Sequence, residues 1–236
     1  SWGDPPYEHD SMPTPEKYKA PFLPGSYYHI VCKSIDGLIL FNEEKDYRVF
    51  KERFKQFTSA FFEVWAYNLI PNHTHHIIKT RPAQEIAETI SGFQKEEQSK
   101  AMLRFLDAIK DENSFDEMIE RQMNSLLVSY ANYCNNKRGR KGGIFQKPFK
   151  RIRIEDDSHL QEAIIYTNAN AQKHKLVRDF KEHPYSSYAD IINGNGQFTE
   201  IDKQIGFFGG LDNFINIHKS QVEYYYQHDW PPSKLE

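Results

Sequence analysis

Pro71-Asn72-His73-Thr74-His75-His76-Ile77-Ile78 decides how the chain is read. A β-branched and aromatic run, Phe62 to Leu69, leads into it, and Lys79-Thr80 continue it. Residues two apart on a strand point to the same face, so His73 and His75 project side by side and His76 points the other way. Pro71 presets a turn and Asn72 suits one. Two neutral imidazoles on one face form a pair that can bind a divalent cation. Ten histidines in the chain also allow a plain surface cluster, so an H-x-H alone does not decide the matter.

Working back from that hairpin, Ser26 to Lys33 alternates and reads as a strand. Asp36-Gly37 is a tight-turn signal, and Leu38 to Phe41 closes the unit. Asp46 can cap a helix reaching about Ala60, with Tyr47, Phe50, Phe54, Phe57 and Phe61 as its core stripe. The order so far is β, α, β, β. Ser1 to Gly25 holds six of the twelve prolines (Pro5, Pro6, Pro13, Pro15, Pro21 and Pro24), which forbids regular helix and leaves an extended or disordered arm.

Working forward, Ala83 to Tyr133 reads as helix-rich, with an acidic middle from Glu96, Glu97, Asp107, Asp111, Glu112, Asp116, Glu117 and Glu120 as a solvated face. The charge then reverses. Arg121 to Ile154 contains no Asp or Glu and nine Lys or Arg residues. Lys137, Arg138, Arg140, Lys141, Lys147, Lys150, Arg151 and Arg153 are the candidate nucleic-acid contacts. Gly139, Gly142 and Gly143 suggest a mobile loop, and Phe145 and Phe149 are candidates for base stacking. A solubilising loop is the plain alternative. Glu155-Asp156-Asp157-Ser158 offers N-caps for a helix over about His159 to Gln172, with Leu160, Ile164 and Thr167 to Ala171 inward. Glu162, Tyr166 and Asn170 fall on one face of it. A last helix is expected from about Leu211 to Gln227.

Composition sets the outer bounds. A chain of 236 residues with net charge -3 and pI about 6.4 can bury one sizeable core and is no uniformly basic coat. Two cysteines, Cys32 and Cys134, rule out a disulfide framework or a Cys-rich zinc site. No apolar run approaches the ~18 residues of a membrane span and no secretory h-region is visible, so a cytoplasmic protein without membrane contact is expected.

Tyr28-His29-Ile30-Val31, then Ile70-Pro71-Asn72-His73-Thr74-His75, then Tyr166-Thr167-Asn168-Ala169-Asn170 occur in that order. Phe145-Gln146-Lys147-Pro148-Phe149-Lys150 precedes the last block and Tyr185-Ser186-Ser187-Tyr188 follows it. The combination, over roughly Gly25 to Asp190, resembles the single-tyrosine HUH transposases, in particular the REP-associated tyrosine transposases and their insertion-sequence relatives. The resemblance implies an α+β, ferredoxin-like antiparallel sheet with helices over 26–192; the last helix makes 193–236 a helical extension beyond it. It implies a divalent metal, Mg²⁺ or Mn²⁺, and cleavage of single-stranded DNA beside a hairpin; the sequence leaves monomer or homodimer open. By position it makes His73 and His75 the metal pair, Asn170 the residue completing the metal site, and Tyr166 the nucleophile forming a 5′-phosphotyrosine. Thr74 stands where an apolar residue is usual and Ala171 where proline is usual; neither carries a reacting atom. Glu162 could accept the Tyr166 proton or simply sit on the surface, and His174 could add a ligand or a phosphate contact. Two rival readings share the fold: a binding module without catalysis, and a phosphodiesterase that uses water.

Overall fold

The computed structural model describes residues 18–96, 98, 100–108 and 114–228. Four strands form one antiparallel sheet: β1 (Tyr27–Lys33), β2 (Phe62–Ile70), β3 (His73–Thr80) and β4 (Lys150–Ile154), in the order β2-β3-β1-β4. Helix α1 (Glu44–Thr58) joins β1 to β2, and α2 (Ala83–Gly92), α3 (Lys100–Ala108) and α4 (Phe115–Arg138) join β3 to β4. This is the ferredoxin-like arrangement, α+β, with β1 and β3 in the centre.

The two-residue turn Pro71-Asn72 pins the register of β2 against β3, with Ile70 opposite His73. The chain after β1 braces it: Leu40 and Phe41 both donate their N–H to the Pro71 carbonyl, and Ser34 donates to that of Asn72. That bracing segment is a 3₁₀ turn at Ile35–Gly37 followed by irregular chain over 38–41. Its two inward residues, Leu40 and Phe41, are buried in the core, where they hold the turn without pairing into the sheet.

Alternation along the strands divides the sheet into two faces. Tyr28, Ile30, Cys32 and Ile78 join the core beneath α1 and α4, together with Phe50, Phe54, Leu126 and Tyr130. His76 lies on this side, its ring 4.5 Å from that of Phe54 and 5.9 Å from that of Phe50. Helix α1 starts with a reciprocal cap between Glu43 and Asp46, so Asp46 is the third residue of the box and Glu43 the cap.

The other face carries Tyr27, His29, Val31 and Lys33 of β1 and His73, His75 and Ile77 of β3. Helix α5 (Asp157–Lys173) crosses it, capped by the Asp156 side chain on His159 N. Only one buried side is expected for α5 from its sequence, yet every residue from Ala163 to Ala171 is buried. The reason is a third layer: α8 (Leu211–Gln227) packs behind α5 through Phe214, His218, Val222 and Tyr225. A helix covered on both sides must be apolar or hydrogen-bonded all round.

Asn168 is the polar pin of that layer. Its Oδ1 accepts from Ser187 Oγ at 2.5 Å and Tyr188 N at 3.0 Å. His218 Nδ1 must donate to the Phe214 carbonyl, so its Nε2 accepts from Asn168 Nδ2 at 2.9 Å. Asn168→Ala strands three buried partners, each worth about 1–3 kcal/mol when left unpaired. The expected loss is about 4 kcal/mol in urea unfolding, against under about 1 kcal/mol for a change at exposed Asn213.

The described part of the arm, 18–25, packs on the sheet and core. Lys19 pairs beside Arg151 on the outer edge of β4, and Phe22 is buried in the first core. This covers an edge strand that would otherwise offer free backbone groups. Pro5, Pro6, Pro13 and Pro15 of the arm, and Glu97, Asp111 and Glu112 of the acidic middle, lie outside the described residues. No helix among the described residues is long and apolar enough to cross a membrane.

Candidate active site

Three imidazoles meet where α5 ends over the sheet. One ligand atom from each of His73, His75 and His174 lies within 4.8 Å of the others. His73 and His75 are on neighbouring outward positions of β3, and His174 follows the last residue of α5. Tyr166, Asn170 and His174 therefore step along one side of α5 at successive turns.

The outer partners of the pair fix which nitrogens are available. Asn72 Oδ1 accepts from His73 Nδ1 at 2.8 Å, which leaves the His73 Nε2 lone pair free. His29, on the adjacent strand, places its Nε2 2.9 Å from His75 Nδ1. The two are diagonal neighbours across β1 and β3, since His29 sits opposite Ile77 and Val31 opposite His75. His75 Nε2 is buried and has no hydrogen-bond partner. A buried imidazole with one nitrogen oriented and the other bare is built to accept a ligand there. Burial is the main cause holding His73 and His29 at about 3 and His75 well below its ordinary value, with neighbouring histidines and lysines acting the same way. His174 is lowered too, by burial first and then by Lys173 and Lys33. All four are neutral near pH 7, the form that coordinates. The residues present thus fit a divalent cation.

A groove of about 300 Å³ opens beside the cluster. Val31, Lys33, Lys150, Gln146 and Phe149 line it with the three histidines, and no carboxylate does. Cations and amide dipoles with no acid suit a phosphodiester.

Tyr166 packs against the cluster, its ring centroid 6.1 Å from both His29 and His75. Its hydroxyl accepts from Lys173 Nζ at 2.7 Å. Tyr166 is 0% exposed. Burial pushes the phenol above its usual value, opposed by the nearby Asn170 amide. Burial also lowers Lys173 to about 8. Neither amide atom of buried Asn170 makes a hydrogen bond of ordinary geometry. The charge of Glu162 acts on Tyr225 of α8.

The basic segment is less free than its composition suggests. Lys137 and Arg138 form the last turn of α4, not a loop, and Gly139 ends that helix in the left-handed region at φ 61°. Asn135 Nδ2 then holds the Gly142 carbonyl at 2.7 Å. Lys137 is paired with Asp46 at 2.6 Å and Glu43 at 2.8 Å. Arg151 is paired with Asp116 and Glu120, both at 3.1 Å, and Arg153 with Glu155. Arg138 reaches the Leu40 carbonyl at 3.5 Å. Arg140 is half-buried, and Lys141 and Lys147 are exposed. Only Lys150 of the eight lies in the groove, where Lys33 joins it from β1. Phe145 and Phe149 are 6% and 4% exposed, so neither presents a face for stacking on a base. Their aromatic surface is taken up by the core under α4.

His29, Lys33 and Lys173 lie at the site although the sequence gives none of them a role there; His29 stands in the block from Tyr28 to Val31 only as part of a strand entry. Lys173 lies seven residues after Tyr166, two turns along the same helix side, which is a readable signal. His29 and Lys33 become visible only once the β1–β3 register is known.

No protein-family model and no curated protein matches the chain. A solved structure of a REP-associated tyrosine transposase bound to a REP hairpin is similar to it, at TM-score 0.49 and 16% identity over 81% of this chain and 90% of that one.

Proposed function

We propose that the chain is a metal-dependent nuclease and strand transferase that cuts single-stranded DNA beside a hairpin through a covalent phosphotyrosine at Tyr166. The observation that carries the reading is the convergence of His73, His75 and His174 on one point in an acid-free groove, with the Tyr166 ring against His75. The preference for a hairpin comes from the motif resemblance.

A bound divalent cation would polarise the scissile phosphoryl group. Lys33 and Lys150 hold the flanking phosphates from the sheet side. Lys173 orients the phenol and, as a neutral amine, takes its proton. The Tyr166 oxygen then bonds to phosphorus while the bond to the 3′-oxygen breaks, which leaves a 5′-phosphotyrosine and a 3′-hydroxyl once that oxygen is protonated. Reversal by another 3′-hydroxyl joins a new strand. Because the phenol is buried, α5 and the sheet must part locally for the phosphate to reach it.

That burial favours one rival: a phosphodiesterase in which water attacks at the same histidines. Labelled hairpin DNA incubated with Mn²⁺ and run on a denaturing gel separates the two. Retarded protein-linked DNA supports the tyrosine reaction, cut DNA without it supports water, and no cutting with any divalent ion refutes both.

Lys33→Gln with Lys150→Gln should flatten the salt dependence of single-strand binding by about 1.4 in log–log slope, since each phosphate no longer neutralised removes ~0.7. Lys137→Gln should leave the slope unchanged and lower stability instead, because its partners are Asp46 and Glu43. A slope change for Lys137 equal to that for Lys33 would place the DNA path elsewhere.

A further inference from the structure

We propose that Gln146 selects a nucleobase in the groove, an unpaired adenine next to the scissile phosphate. The inference rests on the nuclease reading above and adds a base-selecting residue to it.

Geometry comes first. The segment Phe145-Gln146-Lys147-Pro148-Phe149-Lys150 supplies only Lys150 to the phosphate contacts. Its two phenylalanines are buried in the core under α4, and Gln146 stands exposed between them at the rim of the groove. An exposed glutamine ordinarily samples several rotamers, and fixing one on binding costs entropy. This one is already held. Its backbone N–H donates to the Lys33 carbonyl at 2.8 Å, and its Nε2 donates to the Ser34 carbonyl at 2.9 Å. Ser34 in turn donates its N–H to the Asn72 carbonyl, and the Asn72 side chain holds His73. One run of hydrogen bonds therefore ties Gln146 to the histidine pair of β3.

Chemistry sets the base. A carbonyl oxygen can only accept, so the NH₂ group of Gln146 must be the end that meets Ser34. One N–H is used there. The second N–H and Oε1 remain for a ligand in the groove. A donor beside an acceptor matches adenine, whose N6 donates next to the N7 acceptor, the pairing that glutamine makes in base recognition. Adenine also sets N6 beside the N1 acceptor on its other edge, and both edges are open in a single strand. Lys33 and Lys150 contact phosphates, which positions a strand without reading it. Gln146 is the one side-chain amide among the described residues that line the groove.

The test is base preference in binding. Full-length Tyr166→Phe protein, chosen so that no covalent adduct forms, is mixed with hairpin DNA carrying a short randomised unpaired flank on either side of the stem, and the bound DNA is sequenced. Adenine should be enriched at one flank position. By fluorescence anisotropy, DNA with adenine there should bind about tenfold or more tighter than DNA with any other base. Gln146→Met, added to the same protein, keeps the side-chain length and removes both amide groups. It should bring adenine down to the level of the other bases, with the unfolding midpoint and the salt slope of binding unchanged. No position with adenine enrichment, an adenine preference that persists in Gln146→Met, or an equal loss of affinity for all four bases would each overturn the proposal. Wild-type cleavage separates this result from the reaction. Cutting that is indifferent to the flanking base removes the base contact and leaves the nuclease. Adenine-selective binding without cutting removes the nuclease and leaves the base contact.

Discussion

His75→Ala is expected to abolish strand cleavage, by about 10³-fold or more, while the protein still folds. Lewis-acid polarisation of a phosphoryl group contributes several kcal/mol, and every 1.36 kcal/mol is tenfold in rate. His75 holds the buried, unpartnered Nε2 at the centre of the cluster, so its loss removes the best-oriented ligand. The structural cost is the His29 nitrogen left without its partner, about 1–3 kcal/mol. His76→Ala is the control on the same strand. Its ring packs between Phe50 and Phe54 on the opposite face, so the change should lower the unfolding midpoint and leave metal affinity unaltered. Calorimetric metal titration and a cleavage time course on each variant check both halves. Loss of metal binding in His76→Ala with retention in His75→Ala would mean that the strand faces are reversed.

Tyr166→Phe is expected to eliminate the covalent adduct entirely and leave metal binding and single-strand affinity within about twofold of wild type. The change deletes one oxygen and its hydrogen bond from Lys173, which contributes about 1 kcal/mol, and keeps the ring packed on His29 and His75. Filter binding at fixed salt and calorimetry establish that the site is otherwise intact. An adduct that persists in Tyr166→Phe would move the nucleophile to another tyrosine. Tyr130 is fully buried under α1 with its hydroxyl on backbone carbonyls, and Tyr133 bonds Asp46, so neither is near the groove.

The architecture is legible in the sequence because strand alternation and the Pro71-Asn72 turn leave little freedom. His73 and His75 have to share a face, and the β, α, β, β order suits only a few sheet orders; β4, Lys150–Ile154, falls in the basic stretch and is not legible as a strand from its sequence. Helix α8 is readable from end to end, since its apolar spacing and flanking Gly209-Gly210 agree. What stays hidden depends on long-range neighbours. His29 acquires meaning only when β1 pairs with β3, 46 residues away. Charge density in 137–153 reads as a DNA contact because acids lie elsewhere in the chain. Asp46, Asp116 and Glu120 fold back onto Lys137 and Arg151 and neutralise much of it. Asn170 stands out by its spacing to Tyr166, but the histidine one turn further is the residue that meets the β3 pair.

The most direct measurement is the identity of the residue that carries DNA after reaction. Wild-type protein is mixed with a single-stranded hairpin substrate and Mn²⁺, quenched, digested with nuclease and protease, and mapped by mass spectrometry. The expected result is a nucleotide-modified peptide spanning Asp157–Lys173, with the phosphate on Tyr166 and a free 3′-hydroxyl on the released strand. Efficient cutting with every tyrosine unmodified at all times would contradict the tyrosine mechanism and assign the chemistry to water at the histidine cluster.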